Sequence, residues 1–316
     1  MNISVLIPTY CRVNDLDRCL NGIYSQTIKP AEVIVVVRED DHETLQYMEG
    51  LIPSDINLKV ALIAIPGVVQ ALNRGLQEVS GDVVAITDDD SEPYVHWLER
   101  LKLTFEQNPE VVGVGGRDWI HQDGSIIDQE ADIVGKIQWF GRKIGNHHLG
   151  NGRAREVDFL KGVNCAYRTV PLQEIGFDQR LLGNGAQVHW ELGIGLALKR
   201  KGWKLIYNPA IGVGHYPSQR FDEDQRNEFN RLAIRNAIHN ETMIMLEHLP
   251  FFNRAIFICW ALLIGTMSSP GLLQLFRVVM KRDAKAGTRF HAVMEGRFMG
   301  YKSWIKYQKL AGGPHR

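Results

Sequence analysis

The sequence predicts an α/β protein built on a doubly wound, mainly parallel sheet, with a helical, apolar and basic C-terminal appendage. Three observations predict it. Short runs rich in valine and isoleucine alternate with segments of helical spacing through the first third of the chain, the order that produces a parallel sheet with helices on both faces. One run, Glu32-Val33-Ile34-Val35-Val36-Val37, has almost no polar alternation, as expected of a strand covered on both sides. Another, Val83-Val84-Ala85-Ile86-Thr87-Asp88-Asp89-Asp90, ends in three carboxylates. Clustered charges at a sheet need a compensating cation. In open α/β sheets the C-terminal ends of strands border the ligand crevice. Hard oxygen ligands there suit Mg²⁺ or Mn²⁺ holding a diphosphate, whereas a lone acidic triplet would read as a solvated turn.

The elements follow in order. Residues 3–7 form a first strand, stopped by Pro8. Residues 15–26 place Leu16, Cys19, Leu20 and Ile23 on one helical face. The strand at 32–37 follows Pro30. Residues 42–50 read as a short helix, 58–65 as a third strand, 67–79 as a helix and 83–87 as the strand feeding the acid triplet. A helix over 94–108 and a strand over 111–116 complete the regular pattern. Residues 135–152, rich in Gly, His and Asn, read as a long loop, a length typical of functional lids or mobile segments. Within it, His147-His148 reads as solvated. Order returns at 157–168, followed by a helix over 190–201, a strand over 204–207 and a long polar helix over 222–246.

Residues 255–276 carry no charge and are bracketed by Arg254 and Arg277. A membrane span needs about 20 apolar residues, but Ser268-Ser269-Pro270-Gly271 interrupts this one. That favours a helical hairpin or a segment lying in the interface. The chain divides on this reading into residues 1–250 and a membrane-associating segment, 251–316.

The total of 316 residues suits one large α/β domain with an appendage. Lys+Arg and Asp+Glu both number 36, yet ten basic and only two acidic residues lie from Arg277 onward. A neutral total hides an acidic body and a basic tail. No nucleic-acid partner is expected. Cys11, Cys19, Cys165 and Cys259 show no metal-ligand spacing and read as reduced, mostly structural thiols of a cytosolic chain. The N-terminus opens on a strand without the basic and apolar regions of a secretory signal.

Several stretches together resemble family 2 glycosyltransferases. Val5-Leu6-Ile7-Pro8-Thr9-Tyr10-Cys11-Arg12 is similar to their opening V-I-P-T-Y-N-R, and residues 32–37 to their second strand. Ala71-Leu72-Asn73-Arg74-Gly75-Leu76, then Ser80-Gly81-Asp82 and Thr87-Asp88-Asp89-Asp90, resemble the approach to their DXD-type motif. Gly162-Val163-Asn164-Cys165-Ala166-Tyr167-Arg168 resembles their G-x-N-x-A-x-R strand. The resemblance spans about residues 3–216. It implies the GT-A fold, a nucleotide-diphosphate sugar as donor and inversion at the transferred carbon. It further implies that Pro8, Thr9, Tyr10, Arg12 and Asn73 belong to the donor site. Asp89 would bind the metal directly, Asp88 would touch ribose or a metal-bound water, and Asp90 is a further metal ligand. His215 stands where a histidine completes the metal or diphosphate site in many relatives.

Two departures stand out. The family's D-D-G-S after the second strand is replaced by Val37-Arg38-Glu39-Asp40-Asp41. Glu39 or Asp40 could substitute for the base-contacting Asp, and UDP is not to be assumed. The E-D motif that supplies the catalytic base is replaced by Gln187-Val188-His189-Trp190-Glu191-Leu192. His189 stands in the place of the usual base, with an ordinary pKa near ~6.5. Glu191 stands at the later acid, where a helix N-terminus would lower its pKa. Both are candidates, and Trp190 could stack on a sugar or fill the core.

The activity expected is transfer of one sugar to a hydroxyl of a glycan or lipid-linked saccharide. It would take place at the cytosolic face of a membrane, with anionic lipid as a further partner. The rival is a protein that keeps the fold and binds nucleotide sugar without turnover. A nucleotidyltransferase would share the sheet and metal chemistry but needs a Gly-rich basic loop that residues 8–12 do not resemble.

Overall fold

The computed structural model describes residues 1–51, 56–221, 223–225, 228–280 and 284–310. In chain order the elements are β1 (Ile3–Thr9), α1 (Val13–Tyr24), β2 (Glu32–Arg38), α2 (His42–Gly50), β3 (Leu58–Ile63) and α3 (Val68–Leu76). Then come β4 (Val83–Ile86), β5 (Ser91–Pro93), α4 (Trp97–Gln107), β6 (Val111–Gln122), β7 (Ser125–Ile126), β8 (Lys136–Ile137) and β9 (Lys143–Ile144). The rest are β10 (Arg155–Val157), β11 (Cys165–Arg168), α5 (Thr169–Ile175), α6 (Trp190–Arg200), β12 (Lys204–His215), α7 (Arg231–His248), α8 (Phe251–Leu263), α9 (Leu272–Met280) and α10 (Ala286–Leu310).

The main sheet has the order β10-β12-β6-β11-β4-β1-β2-β3. The quartet β3, β2, β1 and β4 is parallel, as is the pair β6 and β12. β11 runs antiparallel between β4 and β6. The uninterrupted apolar strands are buried on both faces. Ile34 and Val36 join Leu6, Val69, Leu72 and Leu76 in one core. Val33, Val35 and Val37 join Val5, Ile7, Leu16, Leu20, Leu98 and Phe105 in the other. Alternate side chains of one strand thus feed opposite cores, each large one worth about 1.5–3 kcal/mol of burial.

The first strand continues through Pro8 rather than stopping there. Leu6 O accepts from Thr87 N, so even-numbered positions of β1 face β4. The β1–β4 register ends at Leu6 and Ile86. The missing N–H of Pro8 therefore falls where no ladder partner remains, and a proline there costs no hydrogen bond.

Strands β6 and β12 outrun their expected lengths because each supports the other, with irregularities between Lys204 and Leu205 and between Asn208 and Gly212. The 135–152 segment is no solvated loop. His147 is 3% exposed, its Nε2 lies 3.1 Å from Phe159 O, and burial pushes its pKa down to about 4. Of the helix expected over 222–246, residues 222, 226 and 227 lie outside the described residues. The helix itself starts at Arg231, where Asn230 Oδ1 accepts from Leu232 N and Ala233 N. Its cap, not the apolar pattern, sets the start.

The uncharged stretch folds as two helices, α8 and α9, interrupted around Ser268–Gly271, where Gly265 bridges to Pro270. Among the described residues no helix is long and apolar enough to cross a membrane. α10 returns along α7 and is part of the packed body. Its buried Arg297 lies 2.6 Å from Glu241 on α7 and donates to Thr242 Oγ1 at 3.0 Å. Cys19 and Cys165 are buried free thiols, in keeping with structural roles, while Cys259 is exposed.

Candidate active site

The C-terminal ends of β1, β2 and β4 lie side by side. β11 runs the other way, with Cys165 opposite Ile86, so residues just before it, including Gly162, reach the same edge. One cleft opens there, and its lining is contributed by these ends and the start of α6.

One end of the cleft is formed by Pro8, Thr9, Tyr10, Val36, Arg38, Ile63 and Ile65. The Arg38 guanidinium sits 3.8 Å over the Tyr10 ring and forks onto the Asp40 carboxylate at 3.0 and 2.7 Å. Glu39, a candidate for the base contact, is exposed and does not line the cleft. Arg38 does.

The acid triplet splits. Asp88 and Asp90 line the cleft. Asp89 does not reach it: the residue is fully buried, its Oδ2 accepts from Thr9 Oγ1 at 2.7 Å, and its Oδ1 lies 2.7 Å from Arg12 Nη2. Arg12 also approaches Asp90 at 3.6 Å. Asp90 Oδ2 accepts from Ser218 N at 3.1 Å, and its Oδ1 lies 3.5 Å from His215 Nε2. Burial raises the pKa of both Asp88 and Asp89, and neighbouring carboxylates add to it. Asp89 reaches about 7 despite Arg12 beside it. Arg12, with His215 and Arg220 near Asp88, lowers these values without restoring the ordinary carboxylate range, and a divalent cation would lower them further.

Among the described residues no three His, Cys, Asp or Glu side chains form a ready-made metal cage. Asp88 and Asp90 can still offer carboxylate oxygens to the cleft, whereas His215 does not line it and meets them through Asp90, 3.5 Å away. Two such carboxylates fit a divalent ion whose other ligands come from substrate phosphates and water.

Glu191, in the first turn of α6, lines the opposite side of the cleft. Gly162 N donates to its Oε1 at 3.4 Å. Gly162 has to lack a side chain: a Cβ would stand 3.3 Å from that oxygen and crowd the Trp190 ring. The helix N-terminus was expected to lower the Glu191 pKa, and the structure gives the opposite direction. Burial raises it, Asp88's charge adds to the rise, and the backbone amides of Glu191 and Gly162 only partly offset both.

His189 faces elsewhere. It sits in the left-handed region, with φ 83°, and its Nε2 accepts from Lys143 Nζ at 2.8 Å. Lys143 in turn lies 2.8 Å from Glu241. Burial, reinforced by Lys143, pushes the His189 pKa down to about 3, so the ring stays neutral and does not line the cleft. Asn73 is also outside it, clamping the Phe177 backbone through 2.8 and 2.9 Å hydrogen bonds. Trp190 is buried with its ring edge-on to Phe177, which fits the core reading, and the residue borders the cleft.

Residues 4–176, more than half of the chain, match the family model described as glycosyl transferase family 2. The chain belongs to that family. This glycosyltransferase is 27% identical over 247 residues to the glucosyl-dolichyl phosphate glucuronosyltransferase of Haloferax volcanii, covering 75% of this chain and 74% of the relative. It is 25% identical over 264 residues to Glycosyltransferase AglE of the same organism, covering 78% and 81%. Its fold is that of GT-A enzymes. The Staphylococcus aureus TarS fragment 1–349, solved with UDP-GlcNAc, superposes with a TM-score of 0.62 at 16% identity, covering 100% of this chain and 93% of that one. The Pyrobaculum calidifontis mannosyltransferase PcManGT, solved with GDP-Man and Mn²⁺, gives 0.54 at 14% identity, covering 96% and 87%.

Some cleft residues of the glycosyltransferase carried no sequence signal. Arg220, Phe221 and Asp224 line it from the segment after β12; the first two carried no assignment, and Asp224 fell inside the stretch expected to be helix. Gly185, Ala186 and Val188 line it from an irregular loop. Val68 N donates to Gly185 O and Val69 N to Gln187 Oε1 at 2.9 Å, which ties that loop to the start of α3. Gly67, at φ 122°, leaves the room Gln187 needs. Asp118 and Lys161 were likewise unmarked. They pair with each other, and Asp118 Oδ2 lies 3.3 Å from His215 Nδ1. Burial opposes ionisation of Asp118, but Lys161 and His215 outweigh it and bring its pKa to about 2.

Proposed function

We propose that this enzyme transfers a sugar, with inversion, from a nucleotide-diphosphate sugar to a hydroxyl of a glycan or lipid-linked saccharide. The observation that carries the reading is the placement of Glu191. It is a carboxylate with raised proton affinity, in the same cleft as Asp88 and Asp90. A base and an acidic diphosphate-side site sharing one cleft suit a single displacement. Glu191 takes the proton of the acceptor hydroxyl as the hydroxyl attacks one face of the sugar. The diphosphate departs from the other face.

Tyr10 and Arg38 hold the nucleoside end. Asp88 and Asp90, backed by His215, would hold Mg²⁺ or Mn²⁺. When bound, that ion neutralises charge developing on the leaving diphosphate. Arg220 adds positive charge from the segment after β12, near enough to Asp88 to lower its pKa. Arg12, which also lines the cleft, lies between Asp89 and Asp90 at 2.7 and 3.6 Å. Glu191 in the cleft favours turnover over the rival binding-only reading, since the altered E-D motif still delivers a carboxylate.

The acceptor side has support of a different kind. The α8–α9 hairpin exposes Leu263, Leu272, Leu273, Phe276 and Met280, and Phe251 and Phe252 at its base are 76% and 78% exposed. Trp139, 69% exposed, is held beside α8, with Asn253 Nδ2 donating to its carbonyl. Contiguous apolar surface of this kind marks an interaction site, and the basic tail complements anionic headgroups at about 1 kcal/mol per Lys or Arg near the surface. This surface would dock on the cytosolic face of a membrane and bring the cleft to a lipid-linked acceptor. The relative named as a glucosyl-dolichyl phosphate glucuronosyltransferase agrees with such an acceptor.

Glu191→Gln is the test of the base. Turnover should fall by about 10²–10⁴-fold while nucleotide binding persists. In the wild type, kcat should rise with pH as Glu191 loses its proton, with the midpoint above the ordinary glutamate range. Full activity in Glu191→Gln would remove this residue from the chemistry.

A further inference from the structure

His215 ends β12 and is buried, with two different neighbours on its two nitrogens. Nδ1 lies 3.3 Å from Asp118 Oδ2. Nε2 makes no hydrogen bond although Asp90 Oδ1 is 3.5 Å away. Asp118 sits on β6, where Ile120 is the register partner of His215, and it is fully buried. Its Oδ2 also receives Lys161 Nζ, a cation on the segment leading into β11. An ammonium can only donate and a carboxylate can only accept. The Asp118–His215 contact is therefore a hydrogen bond only if the proton is on Nδ1.

We propose that Asp118, locked by Lys161, is a positioning residue that fixes the proton of His215 on Nδ1 and so presents the Nε2 lone pair beside Asp90. This rests on the metal reading given above. With the proton so placed, Nε2 and Asp90 Oδ1 are two acceptors facing one another. In the singly protonated ring these two acceptors repel, and a cation between them removes the repulsion. A carboxylate on the far nitrogen of a metal-bound histidine orients the ring and raises its basicity, and losing such a partner weakens metal affinity about 10–100-fold. Asp118 touches neither sugar nor phosphate on this account. It acts through His215.

The experiment is a titration of Mn²⁺ into the full-length protein with UDP or GDP present, following the free-ion signal by electron paramagnetic resonance. Asp118→Asn should weaken Mn²⁺ binding about 10–100-fold, and His215→Ala at least as much. Mn²⁺ affinity within twofold of wild type in Asp118→Asn, alongside a clear loss in His215→Ala, overturns the positioning role and leaves the metal reading standing. A wild-type protein that takes up no Mn²⁺ with either nucleotide overturns both. The protonation site can be read on the wild type alone, which keeps the test decisive if Asp118→Asn fails to fold. In ¹⁵N-histidine-labelled, metal-free protein at a pH where the ring carries one proton, with His215→Gln used to identify the resonance, that proton should be on Nδ1. A proton on Nε2 overturns the proposal.

Discussion

Three adjacent carboxylates look equivalent in the chain, but each has a different environment in the fold. Asp88 and Asp90 border the cleft, while Asp89 is spent on Thr9 and Arg12. Asn at position 89 keeps an acceptor for Thr9 and removes the charge facing Arg12. Burial and the neighbouring carboxylates already disfavour the Asp89 charge, which offsets the lost Arg12 contact, so Asp89→Asn should leave Tm near wild type and Mn²⁺ binding intact. Asp90→Asn relieves like-charge repulsion; it should leave Tm unchanged or raised and weaken Mn²⁺ binding. A stable Asp89→Asn that loses Mn²⁺ as Asp90→Asn does would return Asp89 to the metal. The sequence located this triplet at the site without sorting it, because the sorting depends on Arg12, distant in the chain. The proposed base was legible in the same incomplete way. Motif alignment offered His189 and Glu191 two positions apart, and only the left-handed backbone at His189 shows which of them turns into the cleft.

At the scale of elements, the strands and helices of the first hundred residues were legible because their apolar periodicity is local. The two-sided burial of β2 follows directly from its unbroken run. The break between α8 and α9 was equally legible, since Ser268-Ser269-Pro270-Gly271 disfavours a continuous helix. The seating of α10 was not. Its composition reads as a solvated basic tail, yet Arg297 is buried against Glu241, a pairing that no local pattern reveals. Breaking such a pair from one side costs about 3–5 kcal/mol. Removing residues 250–316 would also strip Phe257, Ala261, Ala292 and Val293 from the core. Membrane docking is therefore better tested on the surface. Phe251→Ser with Phe252→Ser should leave Tm near wild type and reduce co-sedimentation with anionic vesicles. High salt should weaken wild-type binding only in part, because the apolar surface is insensitive to screening. A full-length protein that ignores such vesicles at low salt contradicts the docking.

Across the whole molecule, one sheet edge gathers groups from β1, β2, β4, β12 and α6, and the helices that close the chain support that edge from outside. Glu241 on α7 links the two, holding Lys143 against His189 at the start of α6 and receiving Arg297 from α10. The cleft end proposed for the nucleotide was the least legible part, since Val37 or Arg38 falls where the family usually has a carboxylate and Arg38 pairs with Asp40. The central claim is that Asp88, Asp90 and His215 hold a divalent ion that helps bind the donor diphosphate. Thermal unfolding of the wild-type protein with UDP, GDP, CDP or ADP, each with and without Mn²⁺, tests it most directly. A ligand bound only by the native state raises Tm, by about 2.7 kcal/mol of stabilisation at a hundredfold excess over Kd. At least one nucleoside diphosphate should raise Tm with Mn²⁺ present and do so far less without it. Equal stabilisation with and without Mn²⁺, or none from any of the four, would contradict the account.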